Sequence, residues 1–144
     1  MPTRAFSSDT RDLRRLRDAV RKDLIRAGAA DDVIDDAVLC VHEACMNSMQ
    51  HGKGRLRIRW TFRHGEACFE ICDEGEGLAM PLSDALPSAD QLSGRGLFLI
   101  SRLCDHFETK TSGATRCLAF TIRLDGTGAA AARSFEPAGF AAAN

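Results

Sequence analysis

The segment VHEACMNSMQHG, residues 41–52, carries the pattern from which the fold can be worked out. Its apolar residues recur at three- and four-residue intervals, as they do on the buried face of an amphipathic helix. Glu43, Asn47 and His51 follow one another at four-residue intervals, so they form a polar row along one edge of the same helix. A buried carboxylate is costly unless something pairs with it, so this row indicates that the polar side chains have a function besides packing.

The flanking sequence extends this helix and predicts another one before it. The central helix should run from about residue 31 to residue 51, and a first helix from residue 9 to residue 28. Their core positions are Leu13, Leu16, Val20 and Leu24 in the first helix and Ile34, Val38, Val41, Cys45 and Ser48 in the second. The first helix also carries arginines interleaved with aspartates, which is typical of a solvated face. A docking surface for an acidic partner, including Arg14 and Arg17, is the alternative.

Beyond the central helix the apolar period changes from about four to two. Three segments alternate in this way, and they read RLRIRWTF (residues 55–62), ACFEICD (residues 67–73) and TRCLAFTIRL (residues 115–124). They predict antiparallel strands with one packed face, the first two joined by a hairpin-like turn at RHGE. Asp73 shares the packed face with Phe69 and Ile71, so its side chain is expected to point inward.

A short third helix is predicted to begin directly after Gly94 and Gly96, and a loop with two prolines precedes it. Three helices on one face of a mixed, mostly antiparallel sheet make an α/β two-layer sandwich. We expect one domain over residues 1–125, with the loop at about residues 79–93. The alanine-rich residues 126–144 are expected to form a disordered tail.

Composition excludes several classes of protein. The net charge of −1 gives no global basic field for nucleic acid, and no apolar run approaches the roughly 20 residues of a membrane span. The first ten residues contain no apolar signal-peptide core, so a cytoplasmic protein is expected. The six cysteines show neither CxxC nor zinc-finger spacing, which favours reduced, mostly buried thiols. A thiol-based redox or metal protein is an alternative that rests on these cysteines alone.

Two glycine-containing segments point to a ligand. In DEGEGL, residues 73–78, Gly75 and Gly77 would let a flat ligand approach the backbone, and the Asp73 carboxylate could accept a hydrogen bond from the amine of adenine. A tight turn capped by Asp73 is the alternative. In SGRGLFLI, residues 93–100, Gly94 and Gly96 bracket Arg95 just before the predicted helix. Free amides at a helix N-terminus suit phosphate, and no Walker P-loop occurs in the chain.

The polar row on the central helix could complete such a site. The amide oxygen of Asn47 is a suitable ligand for Mg²⁺ between phosphates, because this ion prefers oxygen donors. Glu43, one turn earlier, could act as general base toward an attacking hydroxyl or water. Taken singly, each residue is better explained as a satisfied polar group at a helix edge.

In combination, these motifs resemble the GHKL ATPase superfamily, which has the Bergerat (histidine-kinase-like) fold. Glu43 and Asn47 match its N-box, and Asp73, Gly75 and Gly77 match its first glycine box. Gly94 and Gly96, followed by Leu97 in the order GxGL, match the second box, and Thr115 matches the threonine that supports the adenine-binding aspartate. Within the superfamily, the chain is similar to anti-sigma-factor serine kinases of the RsbW type over roughly residues 8–124. The segments that carry this similarity are VHEACMNSMQHG, ICDEGEGL and SGRGLFLISRLCDHFE.

The resemblance implies a function and a set of partners. Members of this family bind Mg-ATP and phosphorylate a serine of an anti-anti-sigma (STAS) protein, and they also sequester a sigma factor. A PP2C-type phosphatase resets the switch, the kinase usually acts as a homodimer, and the loop takes the place of the ATP lid. Here that loop has no Lys or Arg before Gly94, which leaves Arg95 as the candidate for the terminal phosphate. The alternative is an ATP-binding sequestering module with negligible kinase activity or a target other than a sigma factor.

Overall fold

The computed structural model describes residues 3–6, 10–51, 56–74 and 92–127. In chain order the elements are β1 (Thr3–Phe6), α1 (Thr10–Arg26), α2 (Asp31–His51), β2 (Leu56–Arg63), β3 (Glu66–Asp73), α3 (Leu92–Leu103), β4 (His106–Ser112) and β5 (Thr115–Arg123). The predicted glycine-box residues Gly75 and Gly77, most of the predicted lid and nearly all of the predicted tail lie outside the described residues.

The five strands form one sheet in the order β1-β2-β3-β5-β4. All four pairings between these described strands are antiparallel, whereas the prediction allowed a mixed sheet. The strands β1 and β4 were not predicted, because both lie at an edge, where apolar alternation is weak. β1 has only four residues, and most of β4 is exposed. The two-layer sandwich itself is confirmed.

The turn between β2 and β3 sets the register of the centre of the sheet. His64 and Gly65 both have positive φ angles, 54° and 74°, as the two central residues of a primed hairpin turn require. The turn therefore pairs Arg63 with Glu66, and the hairpin-like turn predicted at RHGE is confirmed. Because side chains alternate along a strand, this register puts the apolar residues of both strands on one face.

One face of the sheet is covered by the helices and contains the core. Phe69 of β3 stacks on Phe120 of β5 with ring centroids 5.0 Å apart, and Trp60 of β2 is fully buried. All the core positions predicted for the two long helices are buried, which confirms both stripes. Burial of each large apolar side chain contributes about 1.5–3 kcal/mol, so this layer is the main source of stability.

The charged residues of α1 divide between solvent and specific contacts with the rest of the fold. Asp23 accepts a hydrogen bond of 2.8 Å from the indole nitrogen of the buried Trp60. Arg17 donates to Nδ1 of His42 on α2 at 2.7 Å, so His42 faces α1 and points away from the predicted polar row. Arg14 is exposed. The predicted solvated face of α1 is therefore interrupted by residues that anchor the helix.

The helix α3 begins at Leu92, which corrects its predicted start directly after the two glycines. Gly94 lies in the first turn of α3 and Gly96 in the second. The sequence interpretation treated both glycines as a loop that enters the helix, and a glycine inside a helix does cost about 1 kcal/mol relative to alanine. Close packing against α2 explains why Gly96 is tolerated there, as described below.

Within the described residues, no helix combines the length and the apolar character that crossing a membrane would require.

Candidate functional site

The helix α2 holds the two polar residues on which the sequence prediction centred. Glu43 and Asn47 are one helical turn apart, and both lie beside the buried stripe that packs on the sheet. Glu43 is half-buried and Asn47 is buried, with 8% of its surface exposed. The helix α2 packs against both α3 and β3, the strand that ends at Asp73.

Glu43 is in direct contact with α3 at Gly96. A Cβ atom built on Gly96 would lie 3.0 Å from Oε1 of Glu43 and 3.5 Å from its backbone oxygen. Any larger residue at this position would therefore press on the carboxylate. Gly96 lets the two helices approach closely at the place where the candidate general base lies. This brings Glu43 of the predicted N-box against Gly96 of the predicted second glycine box.

The remaining residues of the predicted second glycine box differ in their surroundings. Leu97 is 4% exposed and belongs to the hydrophobic core, so it anchors α3 on the sheet layer. Gly94 and Arg95 lie in the first turn of α3, where helical amides lack intrahelical partners. Their contacts with phosphate, and that of Leu97 with a nucleotide, stay predictions.

Asp73 is the last residue of β3 and points into the helix-covered face, as predicted. Its side chain is 4% exposed, and Oδ2 lies 3.2 Å from the guanidinium of Arg116, whose side chain is also 4% exposed. Asp73 and Arg116 are direct partners in the β3–β5 register. The carboxylate is therefore buried as one half of an ion pair, which offsets much of the cost of removing its charge from water.

Sequence reasoning missed Arg116. The signal was available, because Arg116 continues the inward-facing series Leu118, Phe120 and Ile122 with the strand period of two. The prediction named Thr115 instead as the residue that supports Asp73. Thr115 is half-buried, and the alternating burial along β5 groups it with Cys117 on the other face. Its support of Asp73 stays a prediction, whereas Arg116 contacts the carboxylate directly.

The cysteines do not all behave as free thiols. Cys72 of β3 and Cys117 of β5 form a disulfide, which corrects the expectation that the six cysteines are reduced. The two residues are 45 positions apart and become neighbours only through strand register. Cys40, Cys45 and Cys104 are free and buried, and Cys68 is free and half-buried, as expected.

The buried thiols lie in surroundings that suppress their ionisation. Burial raises the pKa of the Cys40 thiol above its usual range, and the neighbouring Cys104 and Asp36 add to the shift. Burial also raises the pKa of Cys45 to about 12. Since the thiolate is the reactive form of cysteine, these two residues act as small apolar side chains of the core.

The candidate metal ligand is an oxygen donor, as magnesium chemistry requires. The amide oxygen of Asn47 suits Mg²⁺, which binds few protein ligands and retains several waters. Among the described residues, a cluster of potential ligands for softer metals lies elsewhere, where Glu70, Cys72 and Cys117 bring their ligand atoms within 4.8 Å of one another. Both sulfurs of that cluster are in the disulfide and Glu70 is ion-paired with Arg59, so it does not fit a resident metal ion.

Most of the chain is similar to known proteins. The family model of the histidine kinase-like ATPase domain matches residues 6–122, a range that includes the predicted site residues Glu43, Asn47, Asp73 and Gly96 and the central strands. Serine-protein kinase RsbW of Bacillus velezensis is 32% identical over 116 residues, with 70% of this chain and 71% of that protein covered. Both matches therefore extend over most of the chain.

Solved structures share the fold at low sequence identity. The crystal structure of the RsbU and RsbW domains of a Mycobacterium tuberculosis protein matches 85% of this chain with a TM-score of 0.66 and 17% identity. This chain spans 31% of that structure's chain. The histidine kinase domain of a blue-light activated kinase from Erythrobacter litoralis matches 78% of this chain and 59% of its own, with a TM-score of 0.52 and 20% identity. By its domain match, its relative and its motifs, the chain belongs to the histidine kinase-like ATPase superfamily and, within it, to the RsbW-like family of anti-sigma-factor serine kinases.

Proposed function

We propose that this protein binds Mg-ATP and transfers the γ-phosphoryl group to a serine of an anti-anti-sigma protein of the STAS kind. In the same proposal it acts in the cytoplasm as an anti-sigma factor, as a homodimer, and a PP2C-type phosphatase reverses the phosphorylation. The observation that carries the proposal is the contact between Glu43 of α2 and Gly96 of α3. The same helix, α2, also packs on β3, the strand that ends in the buried Asp73. Family membership supports ATP-dependent phosphoryl transfer, in which Asp73, Asn47 and Glu43 would have separate roles.

Asp73 would bind the nucleobase. A carboxylate has two oxygens with about four lone-pair positions in total, so Asp73 can accept from Arg116 and from the exocyclic amine of adenine at the same time. The Arg116 guanidinium holds Oδ2 at 3.2 Å and so orients the carboxylate before any ligand arrives. Gly75 and Gly77 would let the base lie against the backbone. Thr115, directly before Arg116 on β5, is the remaining residue that the family resemblance assigns to this part of the site.

The phosphates would lie between α2 and the first turn of α3. Asn47 would hold Mg²⁺ through its amide oxygen, and the ion would neutralise charge on the phosphates. Free amides at Gly94 and the side chain of Arg95 would contact phosphate oxygens. Phosphoryl transfer depends mainly on positioning and on electrostatic stabilisation, which these groups supply without covalent chemistry.

Glu43 would act as the general base. It would accept the proton of the substrate serine as the hydroxyl oxygen bonds to the γ-phosphorus and the bond to the leaving ADP oxygen breaks. Its half-buried position suits this task, because the carboxylate can reach a substrate while Gly96 fixes one side of it. Family resemblance and this contact together favour a kinase over a purely sequestering protein.

The first test is equilibrium binding of ATP and ADP, with and without Mg²⁺, to wild-type protein and to the Asp73→Asn variant. We expect Mg-dependent binding in the wild type and loss of binding in the variant, because the substitution replaces one carboxylate oxygen with an amide NH₂ group, which donates where adenine needs an acceptor. Glu70→Gln is the matched control, since Glu70 lies on the same strand, faces the other way and is also paired with an arginine. Its nucleotide affinity should be unchanged.

The Asp73→Asn change also leaves the Arg116 charge buried without its partner, so the folded fraction must be checked by thermal unfolding. The double variant Asp73→Asn/Arg116→Gln removes both charges and should regain stability while still failing to bind ATP. Wild-type protein that binds neither nucleotide would contradict the proposal. Nucleotide binding without transfer to any STAS protein would instead identify an ATP-binding sequestering module.

A further inference from the structure

The open face of the sheet carries a disulfide directly behind the candidate nucleotide site. Cys72 and Cys117 are partners in the β3–β5 register, and the next pair along the same two strands is Asp73 and Arg116. Side chains alternate between faces, so the ion pair points toward the helices and the disulfide points away from them. Two adjacent residue pairs therefore link β3 to β5, the disulfide on one face of the sheet and the ion pair on the other.

Among the described residues, the cysteines that are only half-buried all lie on this face. Cys117 and Cys68 are half-buried there, whereas the free cysteines on the helix side are buried, and burial raises the pKa of two of them. A disulfide with a half-buried sulfur can be reached by an external thiol, whereas the core thiols cannot. Disulfides in reducing compartments are rare, and those that occur are usually catalytic or redox-sensing.

We propose that Cys72 and Cys117 form a thiol–disulfide exchange site whose redox state regulates the affinity of the adjacent pocket for nucleotide. This inference rests on the proposed nucleotide binding at Asp73. The disulfide holds β3 and β5 in the register that keeps Asp73 and Arg116 paired. Reduction removes this cross-link and lets the ends of the two strands separate, so the preorganised pocket wall is lost and nucleotide binding weakens.

The charges around the pair favour thiol exchange over metal binding. A shallow groove beside the disulfide is lined by Arg57, Ile58, Arg59, Glu70 and Cys72. Arg57 is exposed and is the register partner of Cys72 on β2, and Arg59 already neutralises Glu70. Nearby positive charge stabilises the thiolate released when the bond opens, and the same charge disfavours a cation.

The proposed reductant is a cellular thiol, either a small monothiol or a protein dithiol. Its thiolate attacks the half-buried Cys117 sulfur, the bond between the two cysteine sulfurs breaks, and the Cys72 thiolate leaves and takes up a proton. A second thiolate, from the same dithiol or from another monothiol molecule, then attacks the reductant's sulfur in the mixed disulfide. Cys117 leaves as a thiolate and takes up a proton, and the reductant is released as its disulfide. Two electrons pass from the reductant to the cysteine pair, and oxidation by a disulfide runs the same steps in reverse.

Linkage makes the proposal testable from both directions. If the oxidised protein binds nucleotide more tightly, nucleotide must stabilise the disulfide against reduction by the same factor. Coupling between two sites typically lies in the range of roughly 5- to 150-fold. Since the cysteines do not touch the predicted base-binding oxygens and act only through strand register, we expect an effect near the roughly fivefold lower end of that range.

The experiment begins with a thiol count on the full chain after equilibration in oxidised glutathione or in dithiothreitol. Alkylation under denaturing conditions should label four cysteines in the oxidised protein and all six in the reduced protein. Peptide mapping should assign the two additional sites to Cys72 and Cys117. Six free thiols after oxidation would overturn the proposal.

The second arm measures the dissociation constant of Mg-ATP for the same wild-type protein in both redox states, so it needs no variant that must fold. We expect a dissociation constant roughly fivefold higher after reduction. The double variant Cys72→Ser/Cys117→Ser should bind like the reduced protein under either condition. The control Cys68→Ser, on the same face and outside the disulfide, should keep the redox response.

The outcomes separate this inference from the proposed function. Equal affinities in the two states, or tighter binding after reduction, would overturn the redox regulation and leave the nucleotide-binding proposal intact. Absence of nucleotide binding in both states would overturn the proposed function, and the regulation with it. A matching shift of the disulfide's reduction midpoint on addition of Mg-ATP would support the inference independently of the affinity measurement.

Discussion

The helix side and the strand side of the candidate site are built on different principles. On the strand side, Asp73 and Arg116 form an ion pair in which each side chain is 4% exposed, and a disulfide cross-links the same strands from behind. On the helix side, Glu43 is half-buried and its carboxylate lies against the backbone of Gly96. A rigid, charge-balanced wall suits binding, whereas an accessible carboxylate suits chemistry.

Because of this difference, mutations should separate nucleotide binding from phosphoryl transfer. Loss of a charge on the strand side should affect stability and nucleotide affinity together, because the pair is buried and cross-linked. Loss of the carboxylate on the helix side should affect the reaction alone.

Replacing Glu43 with Gln should lower the rate of phosphoryl transfer by roughly 10²- to 10⁴-fold, the usual contribution of a general base. The amide keeps the size of the side chain and its contact with Gly96 but cannot accept the serine proton. Single-turnover transfer from ATP to a STAS protein measures the rate, and titration measures nucleotide affinity, which should stay within a factor of about two. A parallel loss of affinity would show that Glu43 belongs to the binding wall.

Replacing Arg116 with Met should lower the free energy of unfolding by about 3–5 kcal/mol, because it leaves the Asp73 carboxylate buried without its partner. Arg59→Met is the matched control, since Arg59 pairs with Glu70 on the open face and is about half exposed. An exposed ion pair contributes only about 0–1 kcal/mol, so the control should be close to wild type. Urea unfolding measures the free energy of unfolding of both variants. Equal losses in the two would mean that the buried ion pair contributes no more to stability than the exposed one.

Replacing Asn47 with Ala should remove most of the Mg²⁺ dependence of ATP binding. Loss of an outer-shell partner already costs roughly 10- to 100-fold in metal affinity, and loss of a direct ligand should cost at least as much. Isothermal titration with ATP at several Mg²⁺ concentrations measures the effect. Ser48→Ala, at the next position of the chain and in the buried stripe, serves as the control for packing. An unchanged Mg²⁺ dependence would remove Asn47 from the metal site.

Replacing Gly96 with Ala should slow transfer more than it weakens binding. The added Cβ would lie 3.0 Å from Oε1 of Glu43, so the carboxylate must move slightly. A misplacement of about 1 Å can cost roughly 10²-fold, and the smaller shift here should cost less. Thermal unfolding should show no loss of stability, because alanine is the better helix former. Ser101→Ala, elsewhere on α3, should leave the rate unchanged, and an unaffected Gly96 variant would contradict the role of this contact.

The smallest effect concerns the core thiols on the helix side. Because burial raises the pKa of Cys40 and Cys45, neither should react with iodoacetamide in the native protein at about pH 8. Half-buried Cys68 should react first, and mass spectrometry of a time course distinguishes the sites. Early labelling of Cys40 or Cys45 would mean that the helix layer opens far more readily than its packing indicates.

Much of the helix side could be predicted because its pattern is local. The helix α2 runs from Asp31 to His51, as its apolar spacing indicated, and all five residues of its predicted stripe are buried. The position of Glu43 and Asn47 on one edge follows from the same helical period. The start of α3 was predicted wrongly, because Gly94 and Gly96 were interpreted as a loop before the helix, whereas Gly96 lies inside it where α3 approaches Glu43 of α2.

By itself the sequence determined the periods: helical spacing for α1 and α2, alternation for β2, β3 and β5, and with them the inward direction of Asp73. The partners of these residues were decided only by the tertiary structure. Arg116 meets Asp73, and Cys117 meets Cys72, through the register between two strands that are distant in the chain, the two cysteines being 45 residues apart. The physical reason is that a side chain's direction depends on the backbone dihedrals of its own segment, whereas its neighbours depend on how distant segments pack and pair.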